Sequence, residues 1–280
     1  MTKLLVAMLC IFIIAQLVGV FTGATILNDI NQNPYVNSMV VTNNADDPMN
    51  AVFFILYILL GAVVMVLLIR KFSFFPILFQ LMEFMMIASA SSIAIYAFLR
   101  LVFDMETSTL FGIFGGLVFS GIRIKVPQLK NAAAILATAG VGTVFGISLG
   151  LIPLIIFLIL LSIYDFIAVF KTKHMVEMAD FVVKKDFAFT VTAKVKSEKP
   201  GEKDKRIDLG TGDLVAPVML EVATLPFNPM ASVFVFVGAV VSFGLFISLV
   251  YKKKMVLPAL PPIVAGMVVA LMLGFLVGAY

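Results

Sequence analysis

The chain is poor in the residues that most often build metal centres and covalent crosslinks. Its 280 residues include one histidine, one cysteine and no tryptophan. A lone histidine, His174, excludes a multi-histidine metal centre and the His-Glu-x-x-His motif of zinc proteases. A lone cysteine, Cys10, makes no internal disulfide, so cysteine usage does not reveal the redox compartment. Charge is also scarce, at 13% of residues, where a soluble domain carries about 25%. What the chain has in quantity is apolar surface: 62% of residues are hydrophobic and the mean hydropathy is +1.12. A water-soluble fold of this size has no means of covering so much of it. A soluble domain, a disordered chain, a collagen-like fibre and a disulfide scaffold are therefore excluded. The net charge of +4 fits the cytoplasmic loops of a membrane protein better than nucleic-acid binding.

A helix needs about 20 apolar residues to cross the hydrocarbon layer. Nine stretches satisfy this: 4–27, 51–69, 72–98, 101–122, 131–149, 152–170, 209–225, 231–251 and 255–280. The expected fold is all-α, a polytopic membrane protein with nine transmembrane helices. The first stretch is too long for the apolar core of a signal peptide and is read as a retained helix. The fourth holds Asp104 and Glu106 near its start, and the break between fifth and sixth rests on Gly150 and Pro153. With the amino terminus inside, nineteen of the twenty Lys and Arg residues fall on the cytoplasmic side, leaving only Arg100 outside. That asymmetry places the amino terminus in the cytoplasm and the carboxyl terminus outside, in a multi-pass protein of the cell membrane. The chain then divides into helices one to six over 1–170, a cytoplasmic loop over 171–208, and helices seven to nine over 209–280. Residues 174–181 are read as an extension of the sixth helix. Within the same loop, 187–196 is β-prone and partly alternating, which predicts one short strand in a partly mobile segment.

Four acidic residues fall inside the spans: Glu83, Asp165, Asp213 and Glu221. A carboxylate near the bilayer centre costs about 2.5–3.5 kcal/mol even on the lenient insertion scale, so each needs a partner, a water cavity or a proton. Asp165 lies near the inner end of the sixth span and Asp213 near the inner start of the seventh. A rise of about 1.5 Å per residue puts both some 6–8 Å below the cytoplasmic boundary. Glu83 and Glu221 fall nearer mid-bilayer and are read as interhelical hydrogen-bonding groups or as tuning a water path. Two neighbouring carboxyls cannot both ionise cheaply, so one keeps a proton near neutral pH. That pairing suits general acid–base hydrolysis of an amide and needs no metal or cofactor. A proton relay in a transporter or an ion channel would use the same groups.

The local sequences discriminate between these readings. Asp165 follows Tyr164; Asp213 closes Gly210-Thr211-Gly212-Asp213; the ninth span opens with Leu257-Pro258-Ala259-Leu260-Pro261-Pro262. In this order they resemble the Tyr-Asp, Gly-x-Gly-Asp and Pro-Ala-Leu-Pro motifs of the presenilin and signal-peptide-peptidase family of intramembrane aspartyl proteases. The resemblance is closest to a microbial presenilin homologue, and its motifs cover 164–262. It implies catalytic Asp165 and Asp213, with Tyr164, Gly210, Thr211, Gly212, Leu257, Pro258, Ala259, Leu260 and Pro261 supporting the site or the substrate. It also implies no cofactor and no metal. The implied partners are transmembrane-helix substrates and the lipid bilayer, not nucleic acid, with homo-oligomerisation left open. Thr211 stands where the family usually carries leucine, which bears on substrate preference more than on catalysis.

Other patterns read as packing. Gly146-x-Ser148-x-Gly150 matches a serine-hydrolase nucleophile elbow, but the only histidine lies a full span away. Gly142, Gly146 and Gly150, with Gly19/Gly23, Gly112/Gly116 and Gly274/Gly278, instead suggest close helix contacts. The 27 phenylalanines are read as core or lipid-facing bulk, and His174 as a solvated loop residue.

Overall fold

Long apolar runs without interior breakers become long helices, and the breaks fall where capping residues and prolines dictate. A computed structural model describes residues 2–72, 76–172, 187–195, 205–253 and 257–280. Its helices are α1 (Thr2–Asp29), the short α2 (Pro34–Asn37), α3 (Met49–Phe72), α4 (Pro76–Leu99) and α5 (Met105–Lys125). They continue with α6 (Lys130–Ser148), α7 (Leu151–Ile167), α8 (Thr211–Thr224), α9 (Pro229–Lys253) and α10 (Leu260–Leu276). Asp104 lies just outside α5 and caps it, accepting the Thr107 N–H at 3.1 Å. The Thr107 hydroxyl, together with that N–H, holds the Asp104 carboxyl below its ordinary pKa.

Among the described residues seven helices are long and apolar enough to cross a membrane: α1, α3, α4, α5, α6, α7 and α9. The other two expected spans are shorter, α8 at 14 residues and α10 at 17. Each starts later than expected for a local reason. Leu209 and Gly210, expected to start the seventh helix, instead end the strand Lys205–Gly210. In the ninth, prolines keep 257–259 out of the helix, and Pro261 is accommodated only in its first turn.

The expected single strand has a partner. Strand β1 (Thr190–Val195) pairs antiparallel with β2 (Lys205–Gly210), in a register that sets Thr190 opposite Gly210 and Thr192 opposite Asp208. The chain is therefore mostly helical and not all-α. Asn131, at the start of α6, docks this hairpin. Its side chain accepts the Thr192 N–H at 2.9 Å and donates to the Thr192 carbonyl at 2.8 Å. The Thr192 hydroxyl donates to Asp208 across the pair at 2.6 Å. The expected helical extension over 174–181, and His174 with it, lie outside the described residues.

Glycines bring the central helices together. A Cβ on Gly19 or Gly23 of α1, or on Gly142 of α6, would collide with Val218 or Val222 of α8; on Gly146 it would meet Val222 and the Met219 carbonyl. Gly112 and Gly116 of α5 pack against α4, where a Cβ on Gly116 would collide with the Ala88 carbonyl and one on Gly112 would be tight against Tyr96. Two of the glycines expected in helix contacts serve otherwise. Gly150 abuts Asp46 of a loop, and Gly278 takes a φ of +68° that ends α10. Ser148 is likewise a corner residue. Its hydroxyl accepts the Val41 N–H at 3.0 Å, and the Gly150 N–H reaches the Ala45 carbonyl at 2.8 Å.

Candidate active site

Asp165 stands two residues before the end of α7, where the chain widens into a π-helical turn over Ala168–Thr172. Its side chain is buried, with 4% of its surface exposed, and Oδ2 has no hydrogen-bond partner among the described residues. The backbone N–H of Leu260, the first residue of α10, is within hydrogen-bonding reach of the same carboxyl. A residue of the Pro-Ala-Leu-Pro segment therefore meets Asp165 directly. It does so because the prolines hold the preceding turn open.

Asp213 lies in the first turn of α8. Gly210 precedes the helix in extended geometry, and Thr211 fastens its start to the hairpin. The Thr211 N–H and hydroxyl both donate to the Phe189 carbonyl, at 3.0 and 3.1 Å. A Cβ added at Gly210 would lie in ordinary contact with Asp213 Oδ2, at 3.5 Å, so this position faces the carboxyl. Pro217 sits inside α8, one turn beyond Asp213. Lacking an N–H, it cannot donate to the Asp213 carbonyl four residues back.

The two aspartates come from neighbouring helices, α7 and α8. Beside them is a cavity of about 330 Å³, lined by Tyr164, Thr211, Gly212, Leu260, Phe189 and the apolar face of α6, among others. Four of the site residues expected from the motifs are thus brought together on one wall. Neither carboxyl is itself part of that lining. Gly210 faces Asp213, Pro258 and Ala259 are buried beside Leu260, and Leu257 and Pro261 are half-buried. Among the described residues no cluster of three His, Cys, Asp or Glu side chains is placed to hold a metal.

A family model for the signal-peptide peptidases and presenilin aspartyl proteases matches residues 9–279. The chain belongs to this family. Among solved structures it resembles a presenilin family intramembrane aspartate protease in two crystal forms. The C222 form superposes with a TM-score of 0.69 at 21% identity, covering 98% of this chain and 99% of that one. The P2 form gives 0.64 at 21% identity, covering 94% and 96%. No curated protein sequence matches significantly. This presenilin-family chain therefore has the fold of a multi-pass membrane protease.

The other two acids expected inside the spans, both buried, differ in their surroundings. Glu83 makes the kind of interhelical bond expected of it. It lies 2% exposed near the start of α4, ion-paired with Arg123 Nη2 at 3.0 Å, and it accepts the Ala188 N–H at 2.7 Å. It stands in the first third of α4 (Pro76–Leu99), where Ala188 of the hairpin segment reaches it. Glu221 is fully buried, and neither carboxyl oxygen has a hydrogen-bond partner among the described residues. Glu83 was visible in the sequence as a buried acid. Its partners are 40 and 105 residues away, and nothing in the local pattern names them.

Proposed function

We propose that the protein is an intramembrane aspartyl endopeptidase that cleaves peptide bonds within transmembrane helices of other membrane proteins, with Asp165 and Asp213 as its dyad. The reading is supported above all by the position of Asp165 and Asp213 on the neighbouring helices α7 and α8, with the Leu260 N–H against Asp165, beside an apolar cavity. The dyad carries one proton between its members. Its ionised carboxylate takes a proton from a water molecule as the water oxygen attacks the substrate carbonyl carbon. The protonated carboxyl donates to the oxygen that gains charge, giving a tetrahedral diol. Transfer of a proton to the amide nitrogen then lets the C–N bond break, releasing an amine and an acid. Tyr164, Thr211, Gly212 and Leu260 shape the wall against which the substrate segment lies. Gly210, Leu257, Pro258, Ala259 and Pro261 keep the backbone around the dyad open.

A helical substrate shields its amides by its own hydrogen bonds, so the cleaved segment must unwind and be held extended. Strand β1 is engaged on both sides at Thr192, by β2 and by Asn131. Strand addition therefore falls to the outer edge of β2. In the bilayer, the seven long helices and the shorter α8 and α10 would make nine spans, α8 and α10 reaching the dyad depth from short helices. The cation-rich hairpin end would face the cytoplasm, as would the amino terminus, and the carboxyl terminus would lie outside the cell membrane. Helices over 1–170 and 209–280 then flank the cytoplasmic segment 171–208. Family membership favours proteolysis over a proton-coupled transporter or channel.

The test is to incubate the purified protein with a tagged single-span substrate, with and without an aspartyl-protease transition-state analogue. Inhibitor-sensitive products cut within the span are expected. Ion or solute flux without cleavage would overturn the reading.

A further inference from the structure

The Glu83–Arg123 pair is buried, with side-chain exposures of 3% and 6%, and the dyad chemistry makes no use of it. Replacing a buried ion pair by apolar groups of similar volume is often neutral or stabilising, so stability alone does not account for it. What the pair adds is direction. Glu83 Oε1 receives the backbone N–H of Ala188, just before β1, at 2.7 Å. Phe187 packs against Phe79 of α4 and Ala188 against Ile87 and Ala133, so the segment is wedged between helices while the carboxylate sets its register. The next residue, Phe189, receives both the N–H and the hydroxyl of Thr211. Thr211 in turn starts the helix that carries Asp213 two residues later. A continuous chain of contacts therefore runs Arg123, Glu83, Ala188, Phe189, Thr211. Ala188, Phe189 and Thr211 all line the cavity.

We propose that Glu83 is a positioning residue: its carboxylate, oriented by Arg123, latches the start of the hairpin to α4 and so sets where β1, β2 and the first turn of α8 stand against the substrate. The inference rests on the protease reading for its kinetic consequence, but the latch itself is measurable without cleavage. Glu83 acts through Ala188 and touches no reacting atom.

Three variants of the full chain separate the latch from simple glue. Glu83→Gln keeps an oxygen that accepts the Ala188 N–H. Glu83→Leu keeps the volume and loses both bonds. The exchange Glu83→Arg with Arg123→Glu restores an ion pair but leaves no acceptor at position 83. With the single-span substrate, Glu83→Gln is expected to hold KM within about twofold. Glu83→Leu and the charge exchange are expected to raise KM about tenfold or more, the equivalent of one charge-assisted hydrogen bond, with a smaller effect on kcat. In parallel, backbone amide hydrogen exchange over 187–195 should quicken in Glu83→Leu and in the charge exchange and stay slow in Glu83→Gln. Recovery of wild-type KM and exchange by the charge exchange, or their persistence in Glu83→Leu, would overturn the latch. If Glu83→Leu fails to fold, the Gln variant and the charge exchange decide between the same outcomes. If no variant or wild type cleaves, the protease reading fails while the exchange data still judge the latch.

Discussion

The guanidinium of Arg100 grips the carboxylate of Asp29 at two points, Nε to Oδ2 at 2.6 Å and Nη2 to Oδ1 at 3.2 Å. The Tyr96 hydroxyl donates to the same Oδ2 at 2.6 Å, and Asn33 links Tyr96 to Thr109. The one cation that the charge pattern leaves outside is thus matched by a carboxylate at the end of α1. Asp29→Ala leaves the guanidinium and the tyrosine hydroxyl without their acceptor and is expected to cost about 1–3 kcal/mol. A lowered melting temperature in detergent, with unchanged cleavage well below the transition, is the expected measurement, because the network lies at the end of the bundle away from the hairpin.

The dyad assignment makes a sharper demand. Asp165→Asn and Asp213→Asn are each expected to reduce cleavage by at least about a thousandfold, since neither amide can exchange the proton that acid–base hydrolysis requires. Both variants should melt at or above the wild-type temperature. Each replaces one of two neighbouring buried acids with a neutral amide, which relieves the cost of keeping two carboxyls together. Cleavage retained in either variant would show that another group does the chemistry.

Pro217 invites an opposite trade. Pro217→Ala supplies the missing N–H to the Asp213 carbonyl and removes an interior helix breaker, a gain of up to about 3 kcal/mol in stability. A tighter first turn should also hold Asp213 less freely. The expected result is a higher melting temperature together with a lower kcat, and unchanged kcat would limit Pro217 to a structural feature.

Helix packing is testable through paired glycines. A Cβ on Gly140 of α6 would collide with the Ala90 carbonyl of α4, whereas one on Gly61 of α3 would meet nothing within 4 Å. Gly140→Ala should therefore destabilise by about 1–3 kcal/mol through overpacking. Gly61→Ala should be neutral or stabilising by about 0.5–1 kcal/mol through helix propensity. Denaturation of the two variants side by side in one detergent reads the difference directly.

Much of the site was legible because its elements are local. Gly210 and Gly212 and the prolines at 258, 261 and 262 mark helix starts by their own backbone preferences, and hydropathy sets the Tyr164-Asp165 pair near the inner end of its span. The structure puts a helix end or start beside every one of them. The Thr211 substitution was legible only as a departure from the family pattern. Its hydroxyl bond to Phe189 gives that departure a use that required the hairpin to be seen. The lone serine of the false nucleophile elbow was dismissed for want of a base, and its bond to Val41 shows what it does instead.

Hydropathy sums over neighbours in the chain, and whether a segment enters a bilayer depends on little else. That is why composition and a few charges determined a mostly helical, multi-pass protein with two aspartates near adjacent helix ends. Pairing is a different matter, because it is settled by groups far apart in sequence. Residues Lys205–Gly210 carry three charges and resemble a solvated linker; they become a strand because Thr190–Val195 lies alongside, itself held by Asn131. Glu83 meets Ala188 across 105 residues only after α4, α5 and the hairpin have packed. The tertiary structure alone decided which buried acid was paired and which was left beside the cavity, since desolvation makes every polar group seek a partner but does not say where that partner is.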